Sequence, residues 1–337
     1  VSRIRIAIIG AGMMAERRGR AFVATGRAEV CAVVSRRLER ARRLGAIVDC
    51  AACFDDPEGL RATAPDAVLI EVPHRQQDAL SVWALESGWH VLIGGCLAAS
   101  IEGGLRIGRL AAERCLVAEA GYEARYKAVW EAARGIVLEG EIGQPVAIRS
   151  IALFPADPSS WYYSERASGG MPLTHMTYAF VNPARWIFGE PMQVSAFANR
   201  IAGTSEDSVR EETCTANLLF PGNVVCNMTA GYVSSGGEWW SFTVVGTRGV
   251  LDVHPSTMEP GELVHYRGPS VTRHRFDDLP DAFITQAHAF LNAISGADTC
   301  RNLPSDSLGD IRVANAISQS ARELRSISLV QGSGGRS

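Results

Sequence analysis

The residues with the clearest chemical meaning stand near the front of the chain: Gly10-Ala11-Gly12-Met13-Met14-Ala15, directly after an apolar run. Glycines at the first and third positions permit a tight turn and let the backbone approach a bound group closely. The helix that follows would offer unpaired N–H groups and the positive end of its dipole. A pyrophosphate suits that environment. The spacing is Gly-x-Gly-x-x-Ala between an expected strand and an expected helix, which favours a dinucleotide site over a bare turn. Gly10, Gly12, Met13 and Met14 are the binding residues this implies.

A second signal lies at the end of the next expected strand, Val33-Val34-Ser35-Arg36-Arg37. A site for NAD places an acid there, on the ribose hydroxyls. This chain has a hydroxyl and two guanidiniums. An acid would repel a 2′-phosphate, whereas Arg36 can pair with one and stack on adenine. Ser35 and Arg36 therefore predict NADP, with NAD as the alternative. A third signal is Glu71, which interrupts the apolar run 67–72 just before Pro73. Ligands of open α/β sheets bind at such strand ends, so Val72 and Pro73 are expected at the cofactor. A half-buried Glu71 could serve as a general acid or base, or simply bond backbone amides.

Other candidates carry less. Cys50-Ala-Ala-Cys53 has redox or zinc spacing, but no second cysteine pair or histidine cluster completes a site, so no metal is expected. Cys31 and Cys115 read as buried thiols in apolar runs. Lys127 is the sole lysine of the chain. It reads as a surface residue on a helix.

The elements needed to position these groups follow from the pattern of the first third. Apolar runs at 3–9, 29–34, 67–72, 90–93 and 115–120 alternate with helical stretches at 13–25, 36–44, 76–86 and 101–113. That alternation implies right-handed crossovers and a doubly wound parallel sheet. After about residue 122 the rhythm changes. Helices are expected at 126–138 and 173–188, followed by strand-like runs at 192–198, 213–220, 223–230, 239–246 and 249–253. Runs without crossover helices imply an antiparallel sheet. Helices return at 282–294, where Phe283, Ala287, Phe290, Leu291 and Ile294 share one face, and at 306–324. The expected organisation is α/β: a dinucleotide-binding domain over 1–122, a second domain over 123–330 that would carry the substrate site, and a flexible Gly/Ser-rich tail over 331–337.

Composition narrows the function. With 337 residues, 47% of them hydrophobic, the chain can build two ordinary cores. A net charge of −3 gives no reason to expect nucleic acid or an anionic membrane surface. No apolar run approaches the roughly 20 residues of a membrane span, and no signal peptide is legible, so a cytoplasmic protein is expected.

At this point the whole chain resembles the Gfo/Idh/MocA family of NAD(P)-dependent oxidoreductases. The resemblance runs through the Gly10–Ala15 turn, Pro73, Gly88-Trp89-His90-Val91-Leu92, Gly121-Tyr122, Arg125-Tyr126, Ser168-Gly169-Gly170, Ala184-Arg185-Trp186-Ile187-Phe188-Gly189 and Gly246-Thr247-Arg248-Gly249-Val250-Leu251. It implies a Rossmann domain followed by an α/β domain whose large, mainly antiparallel sheet has helices on one face. The open face is then expected to join a homodimer or homotetramer. A small-molecule substrate is implied.

The departures matter as much. The family usually carries Glu-Lys-Pro after the fifth strand, its lysine beside the nicotinamide. This chain has Gly94-Gly95-Cys96, with Gly95 at the lysine position. The family's Asp-x-Gly-x-His falls on His175, Thr177 and Ala179, with Asn182 at the further acid, and the histidine after the fourth strand becomes Gln77. The resemblance thus implies Gln77, Gly94 and Gly95 at the cofactor. It leaves His175 as the best substitute for proton transfer, one helical turn before Ala179, with Tyr178 behind it. Glu123, Arg125, Trp161 and Tyr163 are implied to bind substrate. Tyr162, Cys96 and Lys127 are weaker candidates. The implied function is an oxidoreductase acting on a sugar-like, imine or conjugated carbonyl substrate with an atypical proton-transfer set. A lyase or isomerase retaining a nucleotide, or a silent sensor of NADP(H), would also fit an intact glycine turn with a stripped acid–base set.

Overall fold

The structure, a computed structural model, describes residues 3–330 apart from 156, 158, 202, 204, 235, 236, 238, 256–260 and 278. The expected tail 331–337 lies outside the described residues. The chain divides into two compact units. The first comprises Val1–Tyr126 and Pro280–Leu308, the second Lys127–Leu279 and Gly309–Ser337. Residues 280–308, expected with the second domain, thus return to the first unit.

The first unit is built on strands β1 (Ile4–Ile9), β2 (Ala28–Val34), β3 (Cys53–Phe54), β4 (Ala67–Ile70), β5 (His90–Gly94) and β6 (Ala118–Gly121). They form one sheet in the order β3-β2-β1-β4-β5-β6, and every pairing is parallel. Helices α1 (Met13–Ala24), α2 (Leu38–Ile47), α3 (His74–Glu86) and α4 (Ile101–Glu113) fill the crossovers. The central strands are buried on both faces, so they read as continuous apolar runs rather than alternating ones. The helix Ala282–Ile294 buries Phe283, Ala287, Phe290 and Leu291 in a core shared with Ile6, Ile8, Phe22, Leu69 and Leu92. Each large apolar side chain so buried contributes roughly 1.5–3 kcal/mol.

Two local expectations are corrected. Cys115 is exposed, in a left-handed turn (φ 55°) before β6, and not in a strand. Cys31 is only half-buried: the β1–β2 register passes from Ile6↔Val30 to Ala7↔Ala32, leaving Cys31 as the extra residue of an irregularity.

The second unit is a nine-stranded sheet. Its strands are β7 (Pro145–Pro155), β8 (Gln193–Asn199), β9 (Thr213–Phe220), β10 (Val224–Ser234), β11 (Trp239–Gly246), β12 (Val250–His254), β13 (Glu262–Arg267), β14 (Ser270–Arg275) and β15 (Ile327–Ser328). Their order is β14-β13-β12-β11-β7-β10-β9-β8-β15, antiparallel except for the β7–β10 pair. From Ile148 to Phe154 the even-numbered residues of β7 are buried, whereas Arg149 on the other face is exposed. The buried face packs on the helices Ala128–Leu138 and Asn182–Phe188 and on a π-helix, Pro172–Val181. No helix among the described residues is long and apolar enough to cross a membrane.

Candidate functional site

The glycine turn is built as its spacing suggests, but its two glycines act differently. Gly10 sits at φ +118°, and a Cβ on it would overlap the carbonyl of Glu71 at the end of β4. It is the close approach of two strand ends that requires glycine here. Gly12 is the N-cap of α1 in extended backbone, and a Cβ on it would meet nothing within 4 Å. No side chain caps the helix. Met13 is exposed and Met14 half-buried beside it. An open surface over uncapped helical N–H groups fits the pyrophosphate of a dinucleotide. At the end of β2, Ser35 is half-buried and its Oγ accepts the Arg37 backbone N–H at 3.4 Å, while Arg36 and Arg37 are exposed. The acid expected for NAD is absent from this strand end, as the sequence indicated.

Glu71 lies in an ion pair. Arg18 on α1 places its Nε 2.7 Å from Glu71 Oε1 and its Nη2 3.5 Å from Glu123 Oε2. The same guanidinium donates to the Gly121 carbonyl and the Gln286 side chain. Burial pushes the Glu71 carboxyl up, Arg18 opposes that shift, and Glu123 adds to it. A Cβ on Gly94 would overlap the Glu71 carboxylate, so glycine at 94 makes room for this pair. Below it lies a second network. Tyr126 Oη donates to Glu119 Oε1 at 2.6 Å, and Asn302 Nδ2 donates to the Tyr122 carbonyl at 2.8 Å. Burial raises the Glu119 carboxyl, and hydrogen bonds to it from Tyr126, Cys300, Gln286 and Asn302 oppose the shift.

Three other residues expected at ligands make structural contacts in this unit. Gln77 is buried, and its amide donates to the carbonyls of Gly94 (2.6 Å) and Val72 (3.1 Å), tying the ends of β4 and β5 together. Cys96 directs its thiol to Gln77 Oε1 at 3.9 Å. Arg125 meets Asp306 at 2.6 Å and the Arg301 carbonyl at 3.0 Å. Glu123 and Arg125 are both buried. Pro73 is the N-cap of α3, and Val72 and Gly95 are half-buried beside it.

The aromatic residues expected in the second unit form one cluster. His175 lies on the π-helix, an element frequent at functional sites. Its Nδ1 is 2.7 Å from Tyr232 Oη, which is 2.8 Å from Thr174 Oγ1. The rings of Phe154 and Tyr162 flank the imidazole at 4.3 and 4.5 Å between centroids. Trp161 stacks on Tyr162 at 3.9 Å. Tyr178 meets Trp240 edge-on at 5.6 Å. Tyr163 is buried and donates its Oη to the Tyr232 carbonyl at 2.7 Å, and burial pushes its hydroxyl to about 12. Tyr163 is thus a strut of the cluster, and the half-buried Trp161 and Tyr162 are its accessible rings. Lys127 is a correction: it is 6% exposed, not a surface residue, with Nζ 6.0 Å from the Trp240 ring centre.

Sequence reading missed Arg18 and Tyr232. Arg18 sits in a run of arginines that marks nothing by itself, and Tyr232 lies in a strand fifty-seven residues from its partner His175. Among the described residues, no group of three or more His, Cys, Asp or Glu could hold a metal ion. The first unit therefore offers a helix N-terminus for phosphate and a buried ionic framework. The second offers an imidazole among aromatic rings, suited to the apolar faces and hydroxyls of a small polar molecule.

Comparison with known proteins agrees with both units. Residues 4–122 match the oxidoreductase family, NAD-binding Rossmann fold, and residues 130–252 match the GFO/IDH/MocA C-terminal domain. D-glucoside 3-dehydrogenase of Escherichia coli (strain K12) is 27% identical over 202 residues, 59% of this chain and 58% of that protein. That match therefore spans less than two thirds of the relative. The dTDP-3,4-didehydro-2,6-dideoxy-alpha-D-glucose 3-reductase of Streptomyces violaceoruber is 27% identical over 88% of this chain and 87% of its own. A solved levoglucosan dehydrogenase, in complex with NADH and L-sorbose, superposes with a TM-score of 0.87 at 18% identity, covering 98% of this chain and all of the other. With an all-parallel sheet opened by the glycine turn, a mixed second sheet, and a family model matching each unit, the chain belongs to the GFO/IDH/MocA family of NAD-binding oxidoreductases.

Proposed function

We propose that the chain is an NADP(H)-dependent oxidoreductase of small sugar-like substrates, imines or conjugated carbonyls. The observation that carries the cofactor choice is the end of β2, where Ser35 and the exposed Arg36 stand in place of an acid. A guanidinium there can pair with a 2′-phosphate that a carboxylate would repel. When bound, the nicotinamide accepts or returns a hydride.

The chain's own residues have separable roles in this proposal. Gly12, Met13 and Met14 line the open N-terminus of α1 and receive the pyrophosphate. Gly10, Glu71, Arg18, Gly94 and Gln77 hold the strand ends in register and make no contact with reacting atoms. Glu71 is thus assigned to positioning, because its carboxylate is engaged by Arg18 at 2.7 Å. Glu123 and Arg125 are assigned the same way from their buried ion pairs. In the second unit, Trp161 and Tyr162 offer ring faces to the apolar side of a sugar. His175, oriented through Tyr232, bonds substrate hydroxyls, and Tyr178 borders them. The relatives named above carry sugar dehydrogenase and reductase names, which supports a sugar-like substrate.

The exposed face of the nine-stranded sheet carries Arg149, Asn217, Val225 and Asn227 around a shallow depression. We assign it to a second copy of the chain, giving a homodimer or homotetramer. Light scattering on the purified protein tests this, and a monomer at micromolar concentration would contradict it. A cytoplasmic location is proposed with it.

The activity is tested by following nicotinamide absorbance with NADPH or NADP and a panel of sugars, imines and enones. Turnover with at least one class is expected. Product formed without change in the nicotinamide would make the protein a lyase or isomerase, and tight NADPH binding without any product would make it a sensor.

A further inference from the structure

The hydrogens in the cluster around His175 can be followed one by one, and they assign a proton. The cluster lies wholly within the second unit. His175 Nδ1 is 2.7 Å from Tyr232 Oη, and Tyr232 Oη is 2.8 Å from Thr174 Oγ1. The row continues into backbone, where Thr174 Oγ1 lies 3.2 Å from the carbonyl oxygens of both Gly170 and Met171. Thr174 and Tyr232 are buried, so neither hydroxyl reaches bulk water. Tyr232 is itself held in place: its carbonyl accepts from Tyr163 Oη at 2.7 Å, and its N–H donates to the Glu212 carbonyl at 3.0 Å.

A carbonyl oxygen only accepts, so its bond to a threonine hydroxyl uses the one threonine hydrogen. Thr174 Oγ1 then has lone pairs alone to offer, and the Tyr232 O–H donates to it. Burial pushes the Tyr232 phenol well above its ordinary value, so that hydrogen stays on the oxygen. With it spent, Tyr232 Oη can only accept from His175, and Nδ1 carries the hydrogen between them. Thr174 Oγ1, 3.3 Å from Nδ1, is a second acceptor for the same hydrogen. The opposite direction, from Thr174 to Tyr232 to Nδ1, forfeits the threonine bond to the carbonyls. Buried polar groups favour the arrangement with more of their bonds made. The bond made by one ring nitrogen decides the state of the other.

We infer that Tyr232, backed by Thr174, is a positioning residue that holds His175 as its Nδ1–H tautomer and makes Nε2 an acceptor. The group that Nε2 meets on a substrate is then a donor, the O–H of a neutral sugar-like molecule. A carboxylate or phosphate finds no hydrogen there on the neutral ring. Nδ1 donates in the neutral and the charged imidazole alike, so Nε2 can gain or lose a proton without any hydrogen in the row turning. The substrate class rests on the oxidoreductase reading above, whereas the tautomer follows from the contacts of these three side chains.

Nitrogen NMR of the full chain labelled with ¹⁵N-histidine tests it, with no nucleotide or substrate added. The chain has seven histidines, and His175→Gln identifies the ring by the signals it removes. At a pH where the ring is neutral, Nδ1 should give the signal of a protonated nitrogen and Nε2 that of an unprotonated one. Thr174→Val leaves the Tyr232 O–H only Nδ1 to donate to, so the ring should switch to the Nε2–H form. Thr174→Ser should keep the wild-type pattern. For a sugar that the wild type turns over, kcat/KM of Thr174→Val should fall about tenfold, the scale of one hydrogen bond, and that of Thr174→Ser should not. A protonated Nε2 in the neutral wild-type ring overturns the tautomer, whether or not the valine variant folds. A folded Thr174→Val chain that stays Nδ1–H overturns the role of the row. Undiminished kcat/KM in a chain whose ring has switched overturns the acceptor role of Nε2. A wild type with the expected spectrum but no nicotinamide turnover removes the oxidoreductase reading and upholds the tautomer.

Discussion

Arg18 and Glu71 form a buried ion pair, Nε to Oε1 at 2.7 Å, that joins the helix after the glycine turn to the end of the fourth strand. The same arginine faces Glu123 at 3.5 Å, so one guanidinium serves two buried carboxylates. Removing one partner of such a pair leaves uncompensated charge in the interior, at a cost of about 3–5 kcal/mol. Arg18→Met is expected to lose stability on that scale in urea unfolding. Glu71→Gln should lose less, because Arg18 keeps Glu123. Equal stability of Arg18→Met and wild type would show that the framework contributes nothing to the fold.

Gly10 and Gly12 should fail differently when given a methyl group. At Gly10 the new Cβ overlaps the Glu71 carbonyl and the backbone is left-handed. Overpacking of that kind costs about 1–3 kcal/mol, and the strained φ adds to it. At Gly12 the methyl group meets no protein atom, so Gly12→Ala should melt like the wild type yet bind NADPH more weakly. A Gly12→Ala variant that melts as low as Gly10→Ala would refute the division of labour.

Cofactor preference should follow the end of β2. Ser35→Asp combined with Arg36→Ala places an acid where the ribose hydroxyls are read and removes the guanidinium. The ratio of NADPH to NADH affinity, measured by fluorescence titration, should fall by tenfold or more, since a charge-assisted pair contributes about 1.5–3 kcal/mol. An unchanged ratio would return the assignment to NAD.

Glu119 makes stability depend on pH in a direction that can be stated. Burial raises its carboxyl in the folded chain, with hydrogen bonds from Tyr126, Cys300, Gln286 and Asn302 working against the shift. The folded state therefore holds a proton at pH values where the unfolded chain has released it. Its contribution is fully present below the unfolded value of about 4.3. It is lost as pH rises through the higher folded value. Glu71, Glu211 and Asp78 are shifted the same way, so the readout is a difference between proteins. Glu119→Gln should lose less stability than the wild type between pH 4.5 and 8 in denaturant titrations. Parallel curves would mean that Glu119 ionises as it does in water.

Much of the first unit was legible because its central strands are unbroken apolar runs and its first turn is punctuated by glycine. β13 and β14 were not legible. Ser270–Arg275 is exposed along nearly its whole length, so its sequence carries no alternation to read. The helix over 173–188 was visible as a helix, but Pro172–Val181 takes π geometry, which has no marker in residue type. At the site, single residues could be placed while their partners could not. Gly10 reads as a phosphate turn, yet its strictest neighbour is the carbonyl of Glu71. The family resemblance implies that Arg125 binds substrate, yet Asp306 lies 2.6 Å away, 181 positions later in the chain. Lys127 reads as solvated and is buried beside Trp240. In each case a long-range contact, invisible in local pattern, decides what the side chain does.

The return of residues 280–308 to the first unit has a consequence for how the chain is made. The parallel sheet is complete once residue 121 has been synthesised, but its deepest polar contacts are not. Gln286 reaches Arg18, and Asn302 reaches Tyr122, from a segment that leaves the ribosome more than 150 residues later. Until then Arg18, Glu71 and Glu119 have only part of their framework. The nucleotide-binding half, although first in the sequence, is thus among the last parts of the molecule to be finished.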